Sequence, residues 1–205
     1  NTARRMCHLV AMPDGKVMIV GGEDGVELET GPVFTPEMYD PATDLWTDMA
    51  DHVDHRAYHS ATVLLPDGRV LLAGGEQEDH PTLILNGQVF YPPYIFDAVG
   101  CVPRPVITSV TSFGTQQDAI QYGLAFYVNT PQATTIDQVR LMRLGADTHQ
   151  WDGDARSQIL KFVLRSATTL RVAAPAHGNV APPGYYMIFI VEDGVPSVSR
   201  IIKLQ

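Results

Sequence analysis

The chain has 205 residues, 45% of them hydrophobic and 18% charged, enough apolar material for one large or two modest domains with a buried core. Its 14 basic and 23 acidic side chains give a formal net charge of −9 at pH 7, a field that repels polyanions and argues against nucleic acid as a partner. No run approaches the roughly 18 apolar residues of a membrane helix, and the opening NTARRMCHLV has neither an initiator methionine nor the apolar centre of a signal peptide, so the chain reads as cut at its N-terminus.

In chain order, HLVAMPDGKVMIVGGE at 8–23 returns as HSATVLLPDGRVLLAGGE at 59–76, with a period of 53 residues from Pro13 to Pro66. Each copy is an apolar strand, a Pro-Asp-Gly turn, a second apolar strand and a diglycine exit, the pattern of a hairpin. The extended pieces that follow, PVFTPEMYDPATDLW at 32–46 and GQVFYPPYIFD at 87–97, are predicted to complete a four-stranded sheet in each copy. A period near 50 points to kelch-type β-propeller blades, and residues 1–100 are assigned to them. Two blades cannot close a ring of about four to eight, so the missing ones are expected upstream of Asn1. A two-hairpin domain complete in itself is the plainer alternative. From Arg104 the pattern changes to short β-branched segments separated by turns: PVITSV, GLAFYVNT, QVRLMRLG, QILKFVL, TLRVAAP, GYYMIFIVEDG and SVSRIIKL. This spacing predicts an immunoglobulin-like sandwich over 104–205. No segment has helical periodicity, so the fold class is all-β. Two cysteines, Cys7 and Cys101, define neither a disulfide framework nor a zinc-binding spacing.

In RAYHSATVLL, Tyr58 and His59 put a phenol and an imidazole side by side at the head of a core strand. Adjacent residues of a regular strand point to opposite faces, so for both to face one ion the strand must start irregularly, with a kink or bulge. The bland alternative is a packed aromatic beside a hydrogen-bonded histidine. DHVDH at 51–55 holds two imidazoles and two carboxylates, but four donors on five consecutive residues rarely converge, and it reads as a polar loop. His8, His80 and His177 have no supporting context, and Asp14, Gly15, Asp67 and Gly68 belong to turns. Gly21–Gly22 and Gly74–Gly75 end strands and do not open phosphate-binding helices.

Five strings, PVFTPEMYDP, RAYHSATVLLPDGRV, QVFYPPYIF, RLGADTHQWDGDAR and PPGYYMIFIVEDGVPSVS, occur in the order of a known family, and together they span nearly the whole chain. The sequence resembles the copper radical oxidases, which include galactose oxidase and glyoxal oxidase, and is similar to their last two propeller blades plus the C-terminal early-set (E-set) immunoglobulin-like sandwich. The resemblance implies one copper ion with Tyr58 as axial ligand and catalytic base, His59 and His149 as histidine ligands, and Arg4 as a substrate-binding residue. Nitrogen and oxygen donors of this kind suit copper(II). It also implies a second cofactor, a tyrosyl radical on a tyrosine thioether-linked to cysteine, contributed by earlier blades. Neither of those residues has a matching position here, and Cys7 is not the cross-linking cysteine by motif. The active site is therefore expected to be completed by an upstream segment or a second chain. Trp151, Asp154 and Arg156 are expected to fix the hairpin bearing His149 through an Asp and Arg interaction. The activity implied is oxidation of a primary alcohol or aldehyde, free or on a carbohydrate, with reduction of O2 to H2O2 by a secreted or cell-surface enzyme. A non-catalytic carbohydrate-binding or adhesive protein on the same scaffold is the alternative, since fold alone does not decide function.

Overall fold

Both Pro-Asp-Gly segments turn a hairpin, as the apolar alternation on either side of them requires. The computed structural model describes residues 2–25, 31–77, 82–97, 99–112 and 118–205; His80 lies outside them. All the regular elements among these residues are β-strands. By internal packing the chain forms two compact units, one of Asn1–Leu65, Arg69–Tyr91 and Gly145–Ala155, the other of Pro66–Gly68, Pro92–Leu144 and Arg156–Gln205. Residues 145–155, which lie within the sequence of the sandwich, thus belong to the first unit.

In the first unit, strands His8–Ala11, Val17–Val20, Glu37–Asp40 and Leu45–Asp48 form a four-stranded antiparallel meander. Register runs from His8 opposite Val20 to Ala11 opposite Val17, which turns His8, Val10, Met18 and Val20 inward while Leu9 faces out. Asp14 closes the turn by accepting from the Lys16 amide at 3.2 Å, with Gly15 at φ 100°. The second copy behaves differently. Ser60–Leu64, Val70–Gly74 and Gly87–Phe90 form a sheet of three strands, and Glu76–Gln77 pairs with Thr82–Leu83 as a separate ribbon. The expected fourth strand from GQVFYPPYIFD is absent among the described residues: Gly87–Phe90 is the third strand, and Pro92 and Pro93, which have no amide hydrogen, follow it.

Register agrees with the 53-residue period of the two copies. Ser60 lies opposite Gly74 and His8 opposite Val20, so counting back from the Pro-Asp-Gly turns puts His59 level with Met6, not with His8. Met6 and His59 share a left-handed backbone, with φ 54° and 57°.

The second unit is a sandwich. One sheet runs in the order Ser109–Ser112, Ala125–Asn129, Thr169–Ala173, Phe162–Ser166. The other runs Ala119–Ile120, Arg200–Leu204, Gly184–Glu192, Gln138–Arg143, Ser157–Leu160, with Val195–Pro196 paired to Gly184–Glu192. QILKFVL, which reads as one strand, is two: Ser157–Leu160 lies in the larger sheet and Phe162–Ser166 in the smaller, so the chain changes sheets at Lys161. Alternate residues of both sheets, among them Phe126, Val128, Leu170, Leu141, Ile188 and Ile202, form a fully buried core.

Phe126→Ala is expected to destabilise this unit by about 3–5 kcal/mol, because a fully enclosed aromatic leaves a cavity that dense surroundings only partly refill. Denaturant unfolding followed by circular dichroism measures it.

Candidate metal centre

The strand carrying Ser60 begins only after a turn in which the Ser60 amide and hydroxyl both donate to the Ala57 carbonyl, at 3.1 and 2.6 Å. Just before it, His59 has φ 57°, a left-handed conformation uncommon for any residue other than glycine. This break removes the alternation that would send adjacent side chains to opposite faces. The Tyr58 and His59 rings lie together, centroids 3.9 Å apart and 31° between planes. A hairpin of Asp147–Thr148 and Trp151–Asp152 supplies the third ring from its tip, where His149 and Gln150 are left-handed in succession, at φ 50° and 60°. The His149 centroid is 5.5 Å from that of His59 and 5.9 Å from that of Tyr58. Tyr58, His59 and His149 are thus brought together by three left-handed residues.

Each imidazole has a polar neighbour at Nδ1. His59 Nδ1 is 3.0 Å from Glu76 Oε1, and a carboxylate, which only accepts, favours the hydrogen on Nδ1 and the lone pair on Nε2. His149 Nδ1 is 2.8 Å from Thr148 Oγ1, a hydroxyl that can donate to the ring or accept from it. Ring centres 5.5 Å apart suit two imidazoles reaching one ion through bonds of about 2 Å, and two nitrogens with a phenol oxygen are donors that copper(II) accepts. Among the described residues no group of three or more His, Cys, Asp or Glu is placed to hold a metal; this centre reaches three donors only by including the phenol.

Four residues that hold the centre, Glu76, His8, Asp147 and Gln150, escape the sequence reading. Glu76 is legible only as the repeated acid of the two GGE strings. His8 is buried, with Nδ1 3.2 Å from Asp147 Oδ2 and Nε2 2.8 Å from Ser60 Oγ; burial lowers its proton affinity, and Asp147 opposes that. Asp147 also accepts from the Thr62 amide, and Gln150 Nε2 donates to the Ala57 carbonyl at 2.8 Å. The hairpin is shaped chiefly by Asp152, whose Oδ1 accepts from the amides of Ala146 and Asp154 at 2.9 and 3.0 Å.

Arg4 does not join the cluster. Its Nη2 pairs with Glu37 Oε2 at 2.7 Å, the two side chains being 1% and 3% exposed. Nη1 donates to the carbonyls of Gly21 and Thr35, and Nε to that of Thr2. A buried guanidinium so committed locks backbone segments together. DHVDH diverges as well. Asp51 accepts from Thr35 Oγ1 at 2.6 Å, His52 Nδ1 donates to the Asp54 carbonyl at 2.8 Å, Asp54 pairs with Arg56 and His55 faces Glu23 at 3.8 Å. Cys7 and Cys101 are both free thiols, and burial pushes that of Cys7 up, away from reactivity.

With this geometry the relatives can be compared. Residues 104–204 match the family description "Galactose oxidase-like, Early set domain", and residues 1–93 match "Glyoxal oxidase N-terminus". A galactose oxidase of Gibberella zeae is 34% identical over 98% of this chain and 29% of its own length. The aldehyde oxidase GLOX of Vitis pseudoreticulata is 34% identical over 98% of this chain and 41% of its own length. Among solved structures, a fungal alcohol oxidase of the AA5 family in complex with copper superposes with a TM-score of 0.90 at 32% identity, over 100% of this chain and 43% of that one. The chain thus spans well under half the length of these relatives. Fold and matches define an all-β protein with an early-set sandwich. The chain belongs to the galactose oxidase and glyoxal oxidase family.

Two expectations follow. Arg4→Met should destabilise the protein by roughly 1–3 kcal/mol, because it takes the guanidinium from the buried Glu37 carboxylate and leaves it the Thr2 amide; a raised KM with thermal stability unchanged would instead show Arg4 acting as a substrate contact. Burial lowers the proton affinity of His52 and His55, so as pH falls below the ordinary imidazole range near 6.5 the unfolded chain takes up protons that the folded one resists. Stability is therefore present above that range and lost beneath it. Melting temperatures from pH 8 to pH 5 should fall, and fall less steeply in His52→Gln.

Proposed function

We propose that this chain carries the histidine and tyrosine ligands of a copper-dependent oxidase acting on a primary alcohol or aldehyde. The observation that carries the reading is the convergence of Tyr58, His59 and His149, with each imidazole engaged through Nδ1. When bound, copper would supply Lewis acidity and accept one electron. Within this chain, His59 and His149 would hold the metal through Nε2, and Tyr58, as its phenolate, would accept the substrate hydroxyl proton and become the neutral phenol. Oxidising an alcohol to an aldehyde removes two electrons and two protons, which O2 takes up as H2O2. The second electron acceptor this demands is, in our reading, a thioether-linked tyrosine and cysteine from a preceding segment or another chain. Secretion or display at the cell surface accompanies the reading by resemblance; among the described residues no helix is long and apolar enough to cross a membrane.

Isothermal titration with copper, alongside peroxide release from alcohols and aldehydes, tests the proposal. His59→Ala and His149→Ala are each expected to weaken copper binding by far more than tenfold while circular dichroism stays unchanged, because both side chains sit outside the core and removing a direct ligand exceeds the roughly 10–100-fold effect of an outer-sphere change. Copper affinity unaltered in both variants would overturn the assignment and favour a binding protein on an oxidase scaffold.

A further inference from the structure

We infer that His8 is a positioning residue: through Asp147 it holds the hairpin that presents His149 at the separation from His59 that a shared metal needs. The inference rests on the copper reading above for its function, although not for its geometry.

Ser60, His8 and Asp147 have the residue types and contact order of a hydrolytic triad, with Ser60 Oγ 2.8 Å from His8 Nε2 and His8 Nδ1 3.2 Å from Asp147 Oδ2. Nucleophilic chemistry is nonetheless closed to them. Ser60 and His8 are each 2% exposed, and the Ser60 hydroxyl lies 2.6 Å from the Ala57 carbonyl, so a substrate has no approach and the oxygen is already bonded. What remains for the group is mechanical. Asp147 lies two residues before His149, and Gln150 one after it. The first is tied to His8 and to the Thr62 amide, the second to the Ala57 carbonyl. His149 is therefore straddled by anchors to the segment that carries Tyr58 and His59.

Of the donors to Asp147, the Thr62 amide belongs to that same segment, whereas His8 reaches in from the strand His8–Ala11 of the other sheet. Asp147 Oδ1 is buried with no hydrogen-bond partner. Removing the His8 donor would leave a 2%-exposed carboxylate on one backbone amide, and a buried charge so poorly paired is driven toward water. The hairpin would move with it, and His149 would lose its distance from His59.

The test uses three variants of the purified protein. Asparagine places a donor near the Nδ1 position of His8 and keeps the bond to Asp147; glutamine reaches toward the Nε2 position and keeps only Ser60; leucine keeps neither. In the metal-free protein, His8→Gln and His8→Leu should speed amide hydrogen exchange across 145–155 and at Thr62 while Val17–Val20 stays protected, and His8→Asn should restore the wild-type pattern. Copper affinity should fall roughly 10–100-fold in the first two and recover in the third. Unaltered exchange in 145–155 would overturn the inference, as would loss of protection in all strands together, failure of asparagine to rescue, or a loosened hairpin with undiminished copper affinity. Wild-type protein that binds no copper, with the exchange results standing, would sink the metal reading and leave the clamp.

Discussion

The centre depends on a single backbone choice, the left-handed conformation of His59. In a regular strand the Tyr58 phenol and the His59 imidazole would face opposite ways, and no arrangement of the remaining chain could bring both to one ion. A non-glycine residue in this region costs on the order of 1–3 kcal/mol and persists only where its surroundings over-determine it. Here the Ser60 amide and hydroxyl grip the Ala57 carbonyl. Gly74 sits opposite at φ 72°, where an added Cβ would come within 3.2 Å of the His59 carbonyl. Met6 has the same backbone just before the preceding sheet, where the described residues form no such ring cluster. The kink is thus a property of the sheet head, and the side chain placed on it decides whether chemistry can follow.

The second constraint is the hairpin 145–155, which belongs to the first unit although its sequence neighbours belong to the second. It has almost no apolar payload: Trp151 is 71% exposed, and its position is set by polar contacts from Asp147 and Gln150. Polar anchors in low-dielectric surroundings are directional and costly to leave unmet, so they fix a ring's place more sharply than apolar contact would. The same logic applies to Arg4, which is held by Glu37 and three carbonyls.

Much of this was legible before any coordinates. The two hairpins follow from Pro-Asp-Gly turns between apolar alternations, the sandwich from β-branched segments at short spacing, and the need for an irregular start at Tyr58–His59 from the period of a strand. Those properties are local, set by a residue and its near neighbours. The number of strands in the second sheet, the change of sheet at Lys161 and the pairing of Arg4 with Glu37 were not legible. Each depends on which distant segment lies alongside.

The amino-acid order by itself therefore determined the all-β character, the repeat and the sandwich, because turn chemistry and alternation are written along the chain, while the set of three ring-bearing residues came from the resemblance to the copper radical oxidases. Only the tertiary structure decided that His8, Ser60, Thr62, Glu76 and Asp147 surround those rings. Residues separated by 85 positions, as Thr62 and Asp147 are, become neighbours through long-range packing that no local pattern encodes.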